Sequence, residues 1–333
     1  LKNEFNAIDD VSDIYYELAQ IYRNRASLYD QSDENLKTYR WMNVKALEYI
    51  NAAKEKFKDA DGTKRCLNLE NEITRPFLNL ISEEVYLPNT AFPVRIEFQN
   101  IKKSSLHIYK TSFHQLKKEE RIYNESDWLK EQIRQAQKIS TIQIEIPVIK
   151  DYQTHSFEYI VEPLETGYYI FVLTDNEEFN IDNKMISFVD LHISALSYMN
   201  RTNNNGTEEI IVLSRKTGKP IADASVKAFI SEYNYRQRTT IQEFYQEKKT
   251  DKNGQAVFSN NESIRNKRLF FEISSNKDTI ASKNPFYIYQ YQSDTKETFK
   301  TYFFTDRSIY RPGQTVYFKG IILKEKNKEK IIA

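Results

Sequence analysis

A single cysteine, Cys66, stands in a chain of 333 residues, so no internal disulfide can form and the fold has to stand on packing. That suits a cytosolic protein and an envelope protein equally. Glycine is scarce at 7 residues, which speaks against phosphate-cradling loops. No apolar run approaches the roughly 20 residues that cross a bilayer as a helix. Charge of one sign is missing as well: 48 Lys and Arg stand against 47 Asp and Glu, a net +1. No field of one sign draws in nucleic acid or an anionic membrane, and nucleic acid is not expected as a partner. The chain opens at Leu1 without an initiator Met or a signal peptide, which reads as a piece excised from something larger.

What the chain does have is aromatic rings. With 23 Tyr and 20 Phe, the aromatic share reaches 14%, which suits pleated, half-buried surfaces and predicts a mainly β fold. The length allows two or three domains, each with its own core.

The first 75 or so residues are the exception. Phe5, Ile8, Val11, Tyr15, Leu18 and Tyr22 fall three or four apart and predict an amphipathic helix. A second helix is predicted from about Asp33 to Lys58, with Leu36, Tyr39, Ala46, Ile50, Ala53 and Phe57 in register. Asp33 and Glu34 at its start and Lys54, Lys56 and Lys58 at its end suit the helix dipole. Gly62 reads as the close of that segment and Thr63 as the cap of a short third helix carrying Cys66, Leu69 and Ile73, which Pro76 ends. The first two helices make an antiparallel hairpin whose open apolar side the third covers.

Beyond Pro76 the period changes to two. Runs at Phe77 to Leu87, Ala91 to Ile101, Ser104 to Ser112, Ile139 to Val148, His155 to Glu162, Tyr168 to Thr174 and Met185 to Met199 predict the strands of a sandwich. A short helix is predicted at Ser126 to Lys138, where Trp128, Leu129 and Ile133 have helical spacing. The turn-rich Thr202-Asn203-Asn204-Asn205-Gly206 marks a boundary. A second β unit follows, with strands at Glu208 to Ser214, Ala224 to Ser231, Glu243 to Lys249, Gln255 to Ser259, Leu269 to Ser274 and Phe286 to Tyr291, and Tyr233 to Thr240 as a mobile hairpin tip.

Near the end, Pro312 and Gly313 fit the two central places of a type II turn, with a strand from Thr315 to Leu323 after it. A charged turn then leads to Ile331-Ile332, the start of another strand. The division expected is 1–76 helical, 77–201 a first sandwich, 202–299 a second, and 300–333 the opening strands of a truncated third.

No pattern of reactive residues stands out. Cys66 sits on an apolar helix face and reads as a small buried hydrophobe. Of His107, His114, His155 and His192, the last shares a strand face with Asp190, but a pair of ligands falls short of a zinc site. Asp251-Lys252-Asn253-Gly254 lacks the Gly and Glu spacing of an EF-hand and reads as a hairpin turn with a positive-φ Gly. Glu83-Glu84 and Glu208-Glu209 point to opposite strand faces and read as solvated edges. Neither a Gly-x-Ser-x-Gly elbow nor a His-Glu-x-x-His pair occurs. No catalytic, cofactor-binding or metal-binding residue is assigned, no cofactor is called for, and the chain is not expected to be an enzyme.

Four phrases resemble those of one family. They are Glu162-Pro163-Leu164-Glu165-Thr166-Gly167-Tyr168-Tyr169-Ile170, Thr217-Gly218-Lys219-Pro220-Ile221-Ala222-Asp223-Ala224-Ser225-Val226, Thr250-Asp251-Lys252-Asn253-Gly254-Gln255-Ala256-Val257-Phe258, and Thr305-Asp306-Arg307-Ser308-Ile309-Tyr310-Arg311-Pro312-Gly313-Gln314-Thr315-Val316. They are similar to turn-and-strand phrases of macroglobulin domains in the bacterial alpha-2-macroglobulin family. The helical segment before them resembles the N-terminal extension of Bacteroidetes-type members. The resemblance covers most of residues 77–333.

This resemblance implies an N-terminal fragment that is multidomain and mainly β, with an N-terminal α-helical hairpin followed by macroglobulin-like antiparallel β-sandwiches. It implies a non-catalytic scaffold within a protease (endopeptidase) inhibitor that acts by entrapment: a protease cleaves a bait segment, the domains rearrange, and the attacker is enclosed or linked covalently. The partners implied are proteases, through the full-length protein, and the remaining domains of the same chain. A monomer is expected. The implied location is the bacterial periplasm or an attachment to the cell envelope, with the export signal absent from this chain. The family's Cys-Gly-Glu-Gln thioester is not matched, since Leu67-Asn68-Leu69 follow Cys66; a thioester would lie beyond residue 333. The rival reading is an envelope adhesion or carbohydrate-binding β-sandwich protein displaying Tyr233 and Tyr235. An enzymatic reading requires a cleft of convergent polar groups where the helical and first β units meet.

Overall fold

The computed structural model describes residues 11–112, 125–176, 185–203, 207–234, 239–258, 267–282, 286–287, 298–326 and 329–332. Phe5, Ile8, His114, Tyr235 and the side chain of Tyr233 lie outside the described residues. The chain is mainly β, with several antiparallel sheets after a set of N-terminal helices.

Helices α1 (Val11–Ala26), α2 (Met42–Lys56) and α3 (Asp61–Thr74) pack against one another. Tyr15, Ala19, Ala46, Ile50, Cys66 and Ile73 form their shared core, as the helical periodicity requires. Two expectations need correction. The second helix begins at Met42, not near Asp33, because the Asp30 and Asp33 carboxylates accept the backbone N–H of Ser32 and Asn35 at 2.8 and 2.9 Å. Such Asx turns satisfy the backbone locally and compete with the helix, so only a single 3-10 turn, Lys37–Tyr39, precedes α2.

The second correction concerns Gly62, which lies inside α3 rather than closing the segment before it. A Cβ there would stand 2.5 Å from the Asp13 backbone nitrogen, so glycine is what lets α3 approach the start of α1. Ala60, not Thr63, holds the N-cap position, and the Thr63 hydroxyl donates to the Phe57 carbonyl at 2.6 Å.

The first sandwich runs through β1 (Phe77–Ile81), β2 (Val85–Tyr86), β3 (Phe92–Gln99), β4 (Lys103–Thr111), helix α4 (Glu125–Gln135), β5 (Gln137–Glu145), β6 (His155–Val161), β7 (Gly167–Thr174) and β8 (Ile186–Ile193). One sheet has the order β1-β3-β6 and the other β2-β8-β7-β4-β5; β2 meets β8 in parallel, and the other pairings of these two sheets are antiparallel. Alternate residues of β3, namely Phe92, Val94, Ile96 and Phe98, face Leu106, Ile108, Phe171, Leu173 and Leu191 of the second sheet. The opposite faces of β7 and β4 are covered too, by Trp128 and Leu129 of α4, which pack on Tyr109, Tyr168, Ile170 and Val172.

Runs that read as single strands are broken. Residues 77–87 divide between β1 and β2, which belong to different sheets. The run 185–199 divides into β8 and β9 (Leu196–Thr202), and β9 leaves the first sandwich to pair with the strand that follows. The switch is made at Ser194-Ala195, where the Ala195 N–H is held by Asp278 Oδ2 at 2.7 Å and the Ala195 carbonyl accepts the Arg215 N–H at 2.7 Å. Hydrophobicity is continuous across the break, so periodicity does not reveal it.

The next strands are β10 (Glu208–Ser214), β11 (Ser225–Asn234), β12 (Thr239–Lys249), β13 (Gln255–Phe258), β14 (Arg268–Ser275), β15 (Asp278–Ala281) and β16 (Phe286–Tyr287). The sheet β13-β10-β9 faces the sheet β12-β11-β14-β15, on whose β14 strand β16 also pairs. Ile210, Val212, Val226, Phe258, Phe271 and Ile273 fill the space between them. Strand β15 was not expected; it is four residues long and follows a tight turn in which Asn276 has φ 56°. Last comes a three-stranded sheet of β17 (Thr298–Thr305), β18 (Phe318–Lys326) and β19 (Glu329–Ile332), in that order. The strand expected from Thr315 begins at Phe318, and β17 is exposed along its whole length.

Candidate functional site

The quoted phrases fold into joints. Thr250 stands between two of them: its hydroxyl donates to the Ile221 carbonyl at 2.7 Å and accepts the Ala224 N–H at 2.9 Å. Next to it, Asp251 Oδ1 accepts the N–H groups of Asn253 and Gln255 at 2.8 and 2.9 Å. Gly254, with φ 75°, passes so close that an added Cβ would lie 2.5 Å from the Val212 carbonyl oxygen. The predicted hairpin turn is therefore a crossing between sheets, from β12 to β13. In the first sandwich, the Tyr169 hydroxyl donates to the Glu165 carbonyl at 2.8 Å and closes the turn before β7.

The phrase at 305–316 forms an exposed joint. Gly313 has φ 84° and the Gln314 N–H reaches the Arg311 carbonyl at 3.0 Å, the geometry of a type II turn. Asp306 Oδ1 accepts the Tyr310 hydroxyl at 2.6 Å and the Tyr317 N–H at 3.1 Å, tying both ends of the loop together. The Tyr310 hydrogen bond holds the Asp306 carboxyl below its usual range. The loop then reaches the first sandwich: Arg311 Nη2 meets Glu158 Oε2 at 3.0 Å, and the Ser308 N–H meets Glu83 Oε1 at 2.8 Å.

A cleft of about 200 Å³ opens between the two sandwiches. Glu84, Asp190 and His192 come from the first sandwich, and Tyr198 and Arg215 from the second; Val85, Ile280 and Ala281 add apolar wall. Asp190 and His192 do share one face of β8, as their spacing predicts, and that face is the one turned toward the second sandwich. Arg215 is anchored at its root, with Nε donating to the Leu196 carbonyl at 3.1 Å. Burial pulls its pKa below the ordinary arginine value, against the opposing pull of Glu83, Asp278 and Tyr198. Burial also pushes the Tyr198 phenol up to about 12, with Glu84 adding to it. Tyr198 and Arg215 were not singled out from sequence, and Glu84 was read there only as a solvated acid beside Glu83; no spacing signal connects residues that meet only across a junction.

The junction of the helical and first β units is joined by a network of hydrogen bonds. Asp151, fully buried, accepts Arg40 Nε at 2.7 Å, His155 Nε2 at 2.9 Å and the Gln153 N–H at 3.1 Å. Gln153 Nε2 donates to the Ala26 and Arg40 carbonyls, and Asn43 Nδ2 to the Tyr152 carbonyl.

The remaining candidates have structural settings. Cys66 has no exposed surface, and burial pushes its thiol up to about 11. His107 is buried between the hydroxyls of Thr141 and Thr174 at 3.1 and 3.2 Å. Glu83 and Glu84 lie between β1 and β2 rather than within a strand. Glu208 and Glu209 are buried, which corrects their reading as solvated edges: Glu208 accepts the Thr202 hydroxyl at 2.6 Å and Glu209 accepts Arg201 Nε at 2.7 Å.

No family model matches the chain, and no curated protein matches it. Among solved structures it is similar to native alpha-2-macroglobulin from Escherichia coli spanning domains NIE-MG1, at a TM-score of 0.44 and 11% identity over 62% of this chain and 96% of that one. It is similar as well to the same protein spanning domains MG0-NIE-MG1, at a TM-score of 0.42 and 12% identity over 62% of this chain and 64% of that one. Against the native conformation of the E. coli protein seen by cryo-EM, the TM-score is 0.34 at 13% identity; 75% of this chain is covered, but only 16% of that one.

Proposed function

We propose that this chain is a non-catalytic scaffold section of a bacterial alpha-2-macroglobulin-like protease inhibitor that acts by entrapment. One observation carries the reading: the phrase at 305–316, which resembles that family, spends its polar groups on closing its own turn and on docking to Glu83 and Glu158. A residue set bound into a joint supports a mechanical role. The proposed units are the helical one, the first sandwich to about residue 194, the second from about residue 195, and a third β unit that β17 opens. In this reading the full-length protein meets proteases, acts as a monomer, and works in the periplasm or attached to the envelope.

Two measurements test it. Equimolar addition of this chain to trypsin leaves hydrolysis of a small fluorogenic peptide unchanged; stoichiometric inhibition by the chain alone would overturn the scaffold role. With the full-length protein, trypsin keeps its activity on the small peptide and loses it on a large protein substrate. Unimpaired cleavage of the large substrate would overturn the inhibitor assignment.

A further inference from the structure

The third β unit meets the rest of the chain through polar contacts rather than through a shared core. Among the described residues, none from β17 to β19 belongs to a buried apolar cluster, and Phe299, Phe303 and Phe318 remain 63%, 67% and 67% exposed. At the junction with the first sandwich stand two hydrogen bonds, Arg311 Nη2 to Glu158 Oε2 at 3.0 Å and the Ser308 N–H to Glu83 Oε1 at 2.8 Å. Each has a carboxylate as acceptor, and water reaches both, since Ser308 and Arg311 are exposed. Contacts of this kind add little net stability and weaken with salt.

A charge pair resists opening when one partner would be left buried and uncompensated. That penalty is small here, because each carboxylate keeps a cation in its own surroundings. Glu158 on β6 stands opposite Arg95 on β3, whose guanidinium also meets Glu97 at 2.8 Å. Glu83 pulls on Arg215 of the second sandwich. Arg311, exposed already, passes into water.

The loop keeps its shape without the contact as well. Asp306 Oδ1 holds the Tyr310 hydroxyl and the Tyr317 N–H, Gln314 Oε1 accepts the Arg311 N–H at 2.9 Å, and the Gln314 N–H returns to the Arg311 carbonyl at 3.0 Å. All four bonds lie within the third unit. Both sides of the junction are therefore pre-formed, and parting them unfolds neither.

We propose that the loop at 305–316 is a reversible ionic latch: the third β unit docks on the first sandwich through Arg311–Glu158 and Ser308–Glu83, and swings free as a body when these break. Ionic strength sets the balance between the docked and open forms. The latch is independent of the inhibitor reading, since it needs only the contacts within this chain.

The test is the distance between spin labels at two exposed positions, Glu162→Cys on the first sandwich and Lys319→Cys on β18, in a Cys66→Ala background. At about 20 mM salt one narrow distance is expected, and at about 0.5 M salt a second, longer and broader population grows beside it. Arg311→Gln raises the ratio of open to docked forms about two- to fivefold at low salt, the loss of an exposed ion pair. Lys300→Gln, which breaks the Lys300–Glu325 pair inside the same unit, leaves the ratio unchanged. If the Cys66→Ala background fails to fold, small-angle scattering of the unlabelled chain and its Arg311→Gln variant reads the same opening as a larger maximum dimension. A distance that stays narrow in high salt and in Arg311→Gln would show a fixed weld, and equal opening in Lys300→Gln would show a general effect of charge; either result overturns the latch.

Discussion

Asp151 Oδ2 accepts a 2.7 Å hydrogen bond from Arg40 Nε, joining residues 111 positions apart and fastening the helical unit to the first sandwich. The carboxylate is fully buried while Arg40 remains partly exposed. Burial opposes the charge on Asp151, but the hydrogen bonds from His155, Arg40 and the Gln153 N–H outweigh it and hold the carboxyl below its usual value. Further polar contacts line the seam beside the packed rings of Tyr29 and Tyr152, with Asn100 Nδ2 also reaching the Ile73 carbonyl at 2.9 Å as α3 ends. Such a seam fixes orientation through hydrogen-bond geometry, where an apolar one would tolerate sliding.

Replacing Asp151 by Asn removes the charge while nearly preserving the volume. The expected cost is about 3 kcal/mol, since Arg40 and His155 lose their common acceptor inside the seam. The only two tryptophans are placed to read the outcome: Trp41 stands beside Arg40, and Trp128 is buried against the outer face of the first sandwich. In a Trp128→Phe background, the urea midpoint followed by Trp41 falls in the Asp151→Asn variant. An unchanged midpoint would show that the seam is held by its other contacts.

Gly62→Ala tests the approach of α3 to α1. The added methyl carbon would fall 2.5 Å from the Asp13 backbone nitrogen, a contact that only a shift of the helix can relieve. The expected loss is about 2 kcal/mol or more, although alanine is the better helix former in isolation. A gain in the thermal midpoint would show that the crossing has slack.

This glycine also marks the limit of what the chain discloses before it is folded. Helix periodicity places Ile50, Ala53 and Cys66 in a common core, and alternation on β3 places Val94 and Ile96, because each pattern is local and repeats along one element. Gly62 depends on the backbone of Ser12 and Asp13, fifty residues earlier, and no local pattern encodes that approach. For the same reason, the apolar run through Ser194 hides a change of sheet that is set by Asp278 and Arg215. The acids at 208 and 209 looked solvated because their partners, Thr202 and Arg201, lie on the neighbouring strand. The cleft is the extreme case: Glu84, Asp190, Tyr198 and Arg215 share no spacing, and only the packing of one sandwich on the other assembles them.

Cys66 reports local opening of the helical unit. Its thiol is fully buried and raised to about 11, so the thiolate that reacts with disulfide reagents is both scarce and inaccessible. Labelling of the native chain by a disulfide reagent is expected to be slow and to accelerate in the Gly62→Ala variant, which loosens the helix that carries it. Rapid labelling of the native protein at neutral pH would place the thiol in a reactive environment and revive it as a functional group.

His107 sets the first stage of acid destabilisation. Burial, with a smaller contribution from Lys138, lowers its pKa from 6.5 to about 4, so the folded chain keeps the ring neutral between hydroxyl partners where an unfolded chain would protonate it. The sign follows from proton counting: between those two values the unfolded state binds the additional proton, and stability falls as pH falls. The contribution is fully present above pH 6.5 and lost by about pH 4, with a total on the order of 3 kcal/mol. Asp151, whose pKa is lowered, acts in a separate window, since its contribution is kept above the ordinary aspartate value of 3.8 and lost only as pH falls below that. Urea midpoints measured across this range should therefore decline in two stages. His107→Gln flattens the upper stage and leaves the lower one, while a decline of equal slope in that variant would assign the upper stage to other groups.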